Sequence, residues 1–74
     1  MNVIARITGV GNRAAGSGYV YVEYACESMS TSLVVTVDLT MTEAVIRDDV
    51  RAAVVADSNS KCEMQVTVAD VRLL

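Results

Sequence analysis

The sequence predicts a small α+β domain in which one helix packs on one face of a four-stranded, mainly antiparallel sheet. Apolar residues alternate with polar ones along three early segments and one late segment, which is the period of half-buried strands. Between them, residues 41–57 change to the three- and four-residue spacing of an amphipathic helix. The predicted order is therefore β-β-β-α-β, in a single domain of residues 1–74.

The first three predicted strands cover residues 2–10, 19–27 and 33–39. The second, YVYVEYACE, has the clearest alternation, and its apolar face carries Val20, Val22, Tyr24 and Cys26. Its other face carries Tyr19 and Tyr21, for which Val34 of the third strand is a candidate neighbour. The stretch SMSTS, residues 28–32, has the composition of a turn between the second and third strands.

All four glycines lie in residues 8–19, TGVGNRAAGSGY, which predicts a long loop between the first two strands. Gly9, Gly11 and Ala14 match the spacing of a dinucleotide-binding turn, but too few residues follow for the helix that such a turn opens. A phosphate-binding P-loop is excluded because its lysine is missing. Two alternatives remain, a mobile connection or an arm that contains Gly16, carries Arg13 at its tip and orders on a neighbouring subunit.

Thr40 and Glu43 fit a capping box at the start of the predicted helix, which begins at residue 41 or 42 and ends at residue 57. The stretch DSNSK, residues 57–61, should end the helix. The expected buried stripe is Ile46, Val50, Ala53 and Val54.

The last predicted strand covers residues 62–69, with Cys62 and Met64 facing inward, and Val71, Leu73 and Leu74 extend it. Two cysteines are too few for the disulfide framework of a secreted domain, so we expect Cys26 and Cys62 to be buried free thiols, with a single bridge as the alternative.

No catalytic, metal or cofactor site is predicted. The chain has no histidine to activate a nucleophile or bind a transition metal. The stretch DSNSKCE departs from a calcium loop because Lys61 stands where a ligand belongs. Glu23 and Asp38 approach each other if their strands are neighbours, yet a chain of this size offers no cleft for paired carboxylates. We therefore expect a protein that is not an enzyme.

The net charge is −3, and the six basic residues are scattered along the chain. Nucleic acid and anionic membranes are disfavoured as partners because both require a basic stripe or patch. The first residues do not follow a signal-peptide pattern, and no apolar run has membrane-spanning length. The expected location is the cytoplasm, or a particle assembled there.

The run VTVDLTMTEAVIRDDVRAAVVAD, residues 35–57, joins a Thr-rich strand to an Ala/Val-rich helix, and VTVADVRLL closes the sequence. This C-terminal half resembles small virion proteins of tailed bacteriophages. The resemblance implies a repeated accessory subunit of the virion, such as a capsid decoration or cement protein. It assigns no functional residue.

The apolar residues independently favour a structural role. There is no Phe or Trp, and chains shorter than about 70–80 residues commonly need a disulfide, a metal or an oligomer for stability. We therefore expect a subunit stabilised by assembly, either as a homo-oligomer or on a larger capsid-type protein. The candidate interface residues are Arg13, Gly16, Tyr19, Tyr21, Val34, Leu73 and Leu74. The alternative function is a small inhibitory or regulatory protein-binding factor, such as a phage anti-defence protein.

Overall fold

A computed structural model describes residues 1–73, apart from the side chain of Arg13. Its elements are β1 (Asn2–Ala14), β2 (Ser17–Cys26), β3 (Met29–Asp38), α1 (Glu43–Lys61) and β4 (Thr67–Leu73). The sheet order is β3-β2-β1-β4. The predicted α+β class and the order of the elements are confirmed. The sheet is mixed, because β4 runs parallel to β1 whereas the other two pairings are antiparallel.

The core lies between α1 and one face of the sheet. Val50 and Val54 are fully buried on the helix, and Ile46 and Ala53 pack partly against the same cluster, as the spacing predicted. The sheet contributes alternate residues of β1, β2 and β3 and two residues of β4, and most of these residues are valine. They are Val3, Ala5, Ile7, Val20, Val22, Tyr24, Cys26, Val35, Val37, Val68 and Val71.

The helix crosses the sheet diagonally. Near its start, the Arg47 guanidinium donates a hydrogen bond to the carbonyl oxygen of Val71 on β4. At its end, Lys61 reaches the carbonyl oxygen of Ser32 on β3, at 3.3 Å. One helix thus holds both edges of the sheet, because its two ends contact different edge strands.

The predicted glycine loop is wrong: β1 and β2 form one long hairpin, and only Ala15 and Gly16 form its turn. Gly16 has φ of 74°, a conformation that glycine adopts without strain. The turn predicted at residues 28–32 is also shorter, since Glu27 and Ser28 alone connect β2 to β3. This part of the chain is therefore paired strand and not a long connection, and contact of the hairpin end with a neighbouring subunit stays a prediction.

The predicted capping box is wrong as well. The N-cap is Thr42, whose hydroxyl accepts from the Val45 N–H at 3.4 Å. Thr40 lies before the helix and donates both its N–H and its hydroxyl to the Asp38 carboxylate, at 2.9 and 2.6 Å. Because the Thr40 hydroxyl is bonded to Asp38, Thr42 is the threonine that caps the helix.

The helix continues through DSNSK to Lys61, beyond its predicted end at residue 57. The two serines of this stretch bond backwards within the helix: Ser58 donates to the Val55 carbonyl at 2.7 Å, and Ser60 donates to the Asp57 carbonyl at 3.0 Å. Serine favours turns, but here both serine hydroxyls find hydrogen-bond acceptors within the helix, so these residues remain helical.

This extra helical turn displaces the start of the last strand. That strand begins at Thr67, not at residue 62, and Met64 is 59% exposed where it was predicted to face inward. Cys62 becomes the C-cap of α1 and lies over Cys26. The prediction of two free thiols is wrong, because Cys26 and Cys62 form a disulfide with their Cα atoms 6.0 Å apart.

Glu27 strengthens the same junction. Its carboxylate accepts hydrogen bonds from the backbone N–H groups of Glu63 and Met64, at 2.9 and 3.4 Å. The disulfide and this carboxylate together tie the β2–β3 turn to the segment that leaves the helix.

Removal of the disulfide should cost about 4 kcal/mol of unfolding free energy, because the bridge closes a loop of 36 residues in the unfolded chain. Urea unfolding with and without a thiol reductant measures the loss. The Cys26→Ala/Cys62→Ala double variant is the control, since reductant should leave its midpoint unchanged. A wild-type midpoint that does not move after the bridge is reduced would contradict this account.

Candidate protein-interaction surface

The sheet face opposite α1 carries an aromatic patch formed by Tyr19, Tyr21 and Val34. The two tyrosine rings meet edge to face, with centroids 5.4 Å apart. Val34 is the register partner of Tyr21 on β3, as the sequence predicted, and is 57% exposed. The patch therefore offers apolar area together with two hydroxyl groups, a combination that is enriched at protein interfaces.

Gly9 and Gly11 make room for these rings on the neighbouring strand. Gly9 is the register partner of Tyr21, and Gly11 is the partner of Tyr19. A Cβ atom at Gly11 would lie 2.4 Å from the Tyr19 ring, and one at Gly9 would lie 3.1 Å from the Tyr21 ring. Each aromatic ring thus covers a glycine across the strands, which offsets the weak strand preference of that glycine.

A second apolar surface lies on the helix side of the sheet, where the β1–β2 hairpin extends past α1. A groove of about 310 Å³ opens there. Its most exposed apolar side chains are Val10, Met41 and Leu73, at 58%, 49% and 60%. Glu43 and Arg47, which form an ion pair at 2.8 Å, stand at its rim. The groove exists because the helix begins too late to cover this end of the hairpin.

A polar network that sequence analysis missed joins the end of α1 to β2. The buried Tyr24 hydroxyl donates to the Asp57 carboxylate at 2.6 Å, and the Lys61 ammonium reaches the same oxygen at 2.9 Å. The one available signal was the spacing of Asp57 and Lys61, which are four residues apart. This spacing indicates an ion pair only on a helix, and the helix was predicted to end at Asp57.

The network shifts the pKa of both acids. Partial burial raises the pKa of Asp57, but the hydrogen bonds from Tyr24 and Lys61, together with the charge of Lys61, lower it to a net value below its usual range. Burial, and then the hydrogen bond to Asp57, raise the pKa of Tyr24 far above its usual value. Tyr24 therefore keeps its proton and acts as a hydrogen-bond donor that holds the helix in place.

The predicted interface residues do not form one site. Tyr19, Tyr21 and Val34 lie together on the outer face, whereas Leu73 lines the groove on the opposite face. Gly16 lies in the hairpin turn. The side chain of Arg13, and Leu74 as a whole, lie outside the described residues.

The carboxylates predicted to approach each other do not do so. Glu23 pairs with Ser32 and Asp38 pairs with Ser17, so the two acids are six residues apart along neighbouring strands, about 20 Å. Within residues 1–73, no three cysteine or carboxylate side chains converge on one point. No helix in the same part of the chain is long and apolar enough to cross a membrane.

Comparison with protein-family models, with curated proteins and with solved structures finds no match to this chain.

Gly11→Ala should push the Tyr19 ring off β1 and break its edge-to-face contact with Tyr21, because the new methyl group occupies the position of the ring. We expect the Tyr19–Tyr21 ring contacts to vanish from nuclear Overhauser spectra, with a loss of about 1 kcal/mol in stability. Gly9→Ala is the matched control and should act more weakly, since its Cβ meets the other ring at 3.1 Å. Unchanged ring contacts in Gly11→Ala would show that the rings do not lie over these glycines.

Tyr24→Phe should lower the unfolding free energy by about 2 kcal/mol near pH 6, because it removes a hydrogen bond to a charged carboxylate. The pKa of Asp57 is lower in the folded chain, so this stability is present above the unfolded pKa of about 3.8 and is lost as the pH falls through the folded pKa. The gap between wild type and variant should therefore shrink on acidification, which urea titrations at several pH values measure. Tyr21→Phe is the control and should show no such trend. A gap that stays constant down to pH 2 would exclude the carboxylate as the cause.

Proposed function

We propose that this chain is a non-enzymatic structural subunit that binds other protein subunits and is stabilised by the assembly. The observation that carries the proposal is the clustering of exposed apolar side chains. Val10, Met41 and Leu73 surround the groove, while Tyr21 and Val34 lie on the outer face. Two clusters of exposed apolar side chains, one on each face, are typical of interaction sites on a small chain.

The composition of the core leaves room for further stabilisation by assembly, beside that from the Cys26–Cys62 disulfide. Val50 and Val54 are the fully buried apolar residues of the helix, and Tyr24 is the one aromatic residue among the described members of the core cluster. A valine fills less volume than an aromatic residue, so each buried side chain removes less apolar area from water. A chain of 7.9 kDa buries little apolar area on its own. Burial of the groove and the aromatic patch against a partner would therefore add to a small total of buried apolar area.

The finer proposal is an accessory subunit of a virus particle, such as a capsid decoration or cement protein, assembled in the cytoplasm of the host. It is supported by the resemblance of residues 35–57 and 66–74 to small virion proteins of tailed bacteriophages.

The distribution of charge favours this proposal over an acidic inhibitor. Acidic side chains are interleaved with basic ones in four ion pairs among the described residues: Glu43–Arg47, Asp48–Arg51, Asp57–Lys61 and Asp70–Arg72. An inhibitor that binds a basic partner through its acidity would instead need a one-sided negative patch.

Native particles from the producing cells test the proposal. The chain should occur in them at a fixed ratio to a larger shell protein, as measured by quantitative mass spectrometry. Val10→Glu should reduce its incorporation at least about tenfold, because a buried unpaired charge in the groove is costly. Met64→Glu is the matched control, since Met64 is equally exposed but lies outside both apolar surfaces. The proposal fails if the chain is absent from particles and runs alone as a stable monomer.

A further inference from the structure

The β3 edge of the sheet has free hydrogen-bonding groups along most of its length. The Leu39 N–H donates to the Gly16 carbonyl at 2.9 Å, just beyond the register pair of Val37 and Gly18. Bonding alternates along an antiparallel pair, so odd-numbered residues of β3 bond to β2. The even-numbered residues, including Val34 and Thr36, direct their N–H and C=O groups away from it. Within the described part of the chain, no strand lies on that side.

This edge lacks the usual protection against pairing with another chain. Residues 29–37 contain no charge and no proline, and the β2–β3 register has no shift. The opposite edge strand, β4, is shorter, carries Asp70 and Arg72, and has a register shift against β1. The β3 edge has one charged group, the Lys61 ammonium at the Ser32 carbonyl near one end of the strand, whereas the β4 edge carries its charges and its register shift within the strand itself.

We propose that β3 pairs antiparallel with β3 of a second copy of this chain, around a twofold axis at Val35. This inference rests on the proposed function and deepens it by naming the partner of one surface. The pairing joins two four-stranded sheets into one eight-stranded sheet. It satisfies free backbone groups of both edges, which is how an extended strand is commonly bound at a sheet edge.

The strand is self-complementary in this register. On the helix side, Val35 faces Val35 of the second copy, and Leu33 faces Val37 of the second copy. On the outer face, Val34 faces Thr36 of the second copy. No two like charges are placed opposite each other, and β-branched side chains predominate in these cross-strand pairs.

The aromatic patch extends into this interface. Tyr21 is the register partner of Val34, and Tyr19 is the register partner of Thr36. A row across the two sheets then reads Tyr21, Val34, Thr36 of the second copy and Tyr19 of the second copy. The two tyrosine pairs flank a central band of valine and threonine, so the exposed patch of one copy becomes continuous with that of the other.

The charges near the strand ends are also complementary. The register places Ser32 opposite Asp38 of the second copy. The Lys61 ammonium already lies at the Ser32 carbonyl, at 3.3 Å. At both ends of the paired segment, Lys61 of one copy, which also pairs with Asp57 of its own chain, therefore lies beside the edge position of Asp38 of the other copy, whose carboxylate also accepts from its own Thr40. This complementarity selects a second copy rather than an unrelated strand as the occupant.

Sedimentation velocity of the oxidised chain, from roughly 1 to 500 µM, tests the inference. Wild type should pass from monomer to dimer within this range. Thr36→Lys should raise the dissociation constant at least about tenfold, because it places an ammonium group in the central band. Thr67→Lys is the matched control, since it makes the same change at an exposed position of the other edge strand and should leave the dimer intact.

Thr36→Pro tests the backbone contact itself. The Thr36 N–H points away from β2, so proline should preserve the β2–β3 ladder and still weaken the dimer. If this variant does not fold, Val34→Lys replaces it. A wild type that remains monomeric at every concentration overturns the inference. So does a dimer that dissociates equally in wild type and all edge variants. Either result leaves the proposed function to its own test, the presence of the chain in particles.

Discussion

One helix is too short to cover this sheet. The 19 residues of α1 span about 28 Å, whereas the twelve steps between the 13 residues of β1 span about 38 Å at the short rise of a twisted strand. The molecule is accordingly elongated, with extents of 38 × 21 × 18 Å. Whichever end of the helix is held firmly, the opposite end of the sheet is left with apolar residues in contact with water.

The firmly held end is the C-terminus of the helix. The Cys26–Cys62 disulfide, the Glu27 carboxylate and the Tyr24–Asp57 hydrogen bond all join it to β2 or to the turn after β2. The uncovered end is therefore the β1–β2 hairpin, where the groove forms. The outer face and the β3 edge remain open for a related reason: the chain has no second helix among its described residues to lie over them. The proposed interaction surfaces are thus consequences of a single packing constraint.

The sequence was sufficient for the elements whose burial follows a simple period. The alternation in β2 and the four-residue stripe of α1 placed the right residues in the core, because one face of each element must leave water.

The sequence was insufficient where residues distant along the chain decide the local structure. Gly9 and Gly11 form a strand because two tyrosines on the next strand cover them, and DSNSK stays helical because Tyr24 and Lys61 hold Asp57. The disulfide depends on that extra turn of helix, whereas the prediction of free thiols rested on the small number of cysteines, which says nothing about where the two residues lie in space. Alternation placed Tyr19 and Tyr21 on one face, and Val34 is the register partner of Tyr21, but the predicted five-residue turn at residues 28–32 did not specify that register.

Amide hydrogen exchange along β3, measured as a function of protein concentration, tests most directly whether the uncovered edge is an interface. The account predicts that the N–H groups of Val34 and Thr36 exchange fast in dilute solution and become protected as the concentration rises. The N–H groups of Val35 and Val37, which bond to β2, should stay protected throughout. Exchange at Val34 and Thr36 that is fast at every concentration would contradict the account.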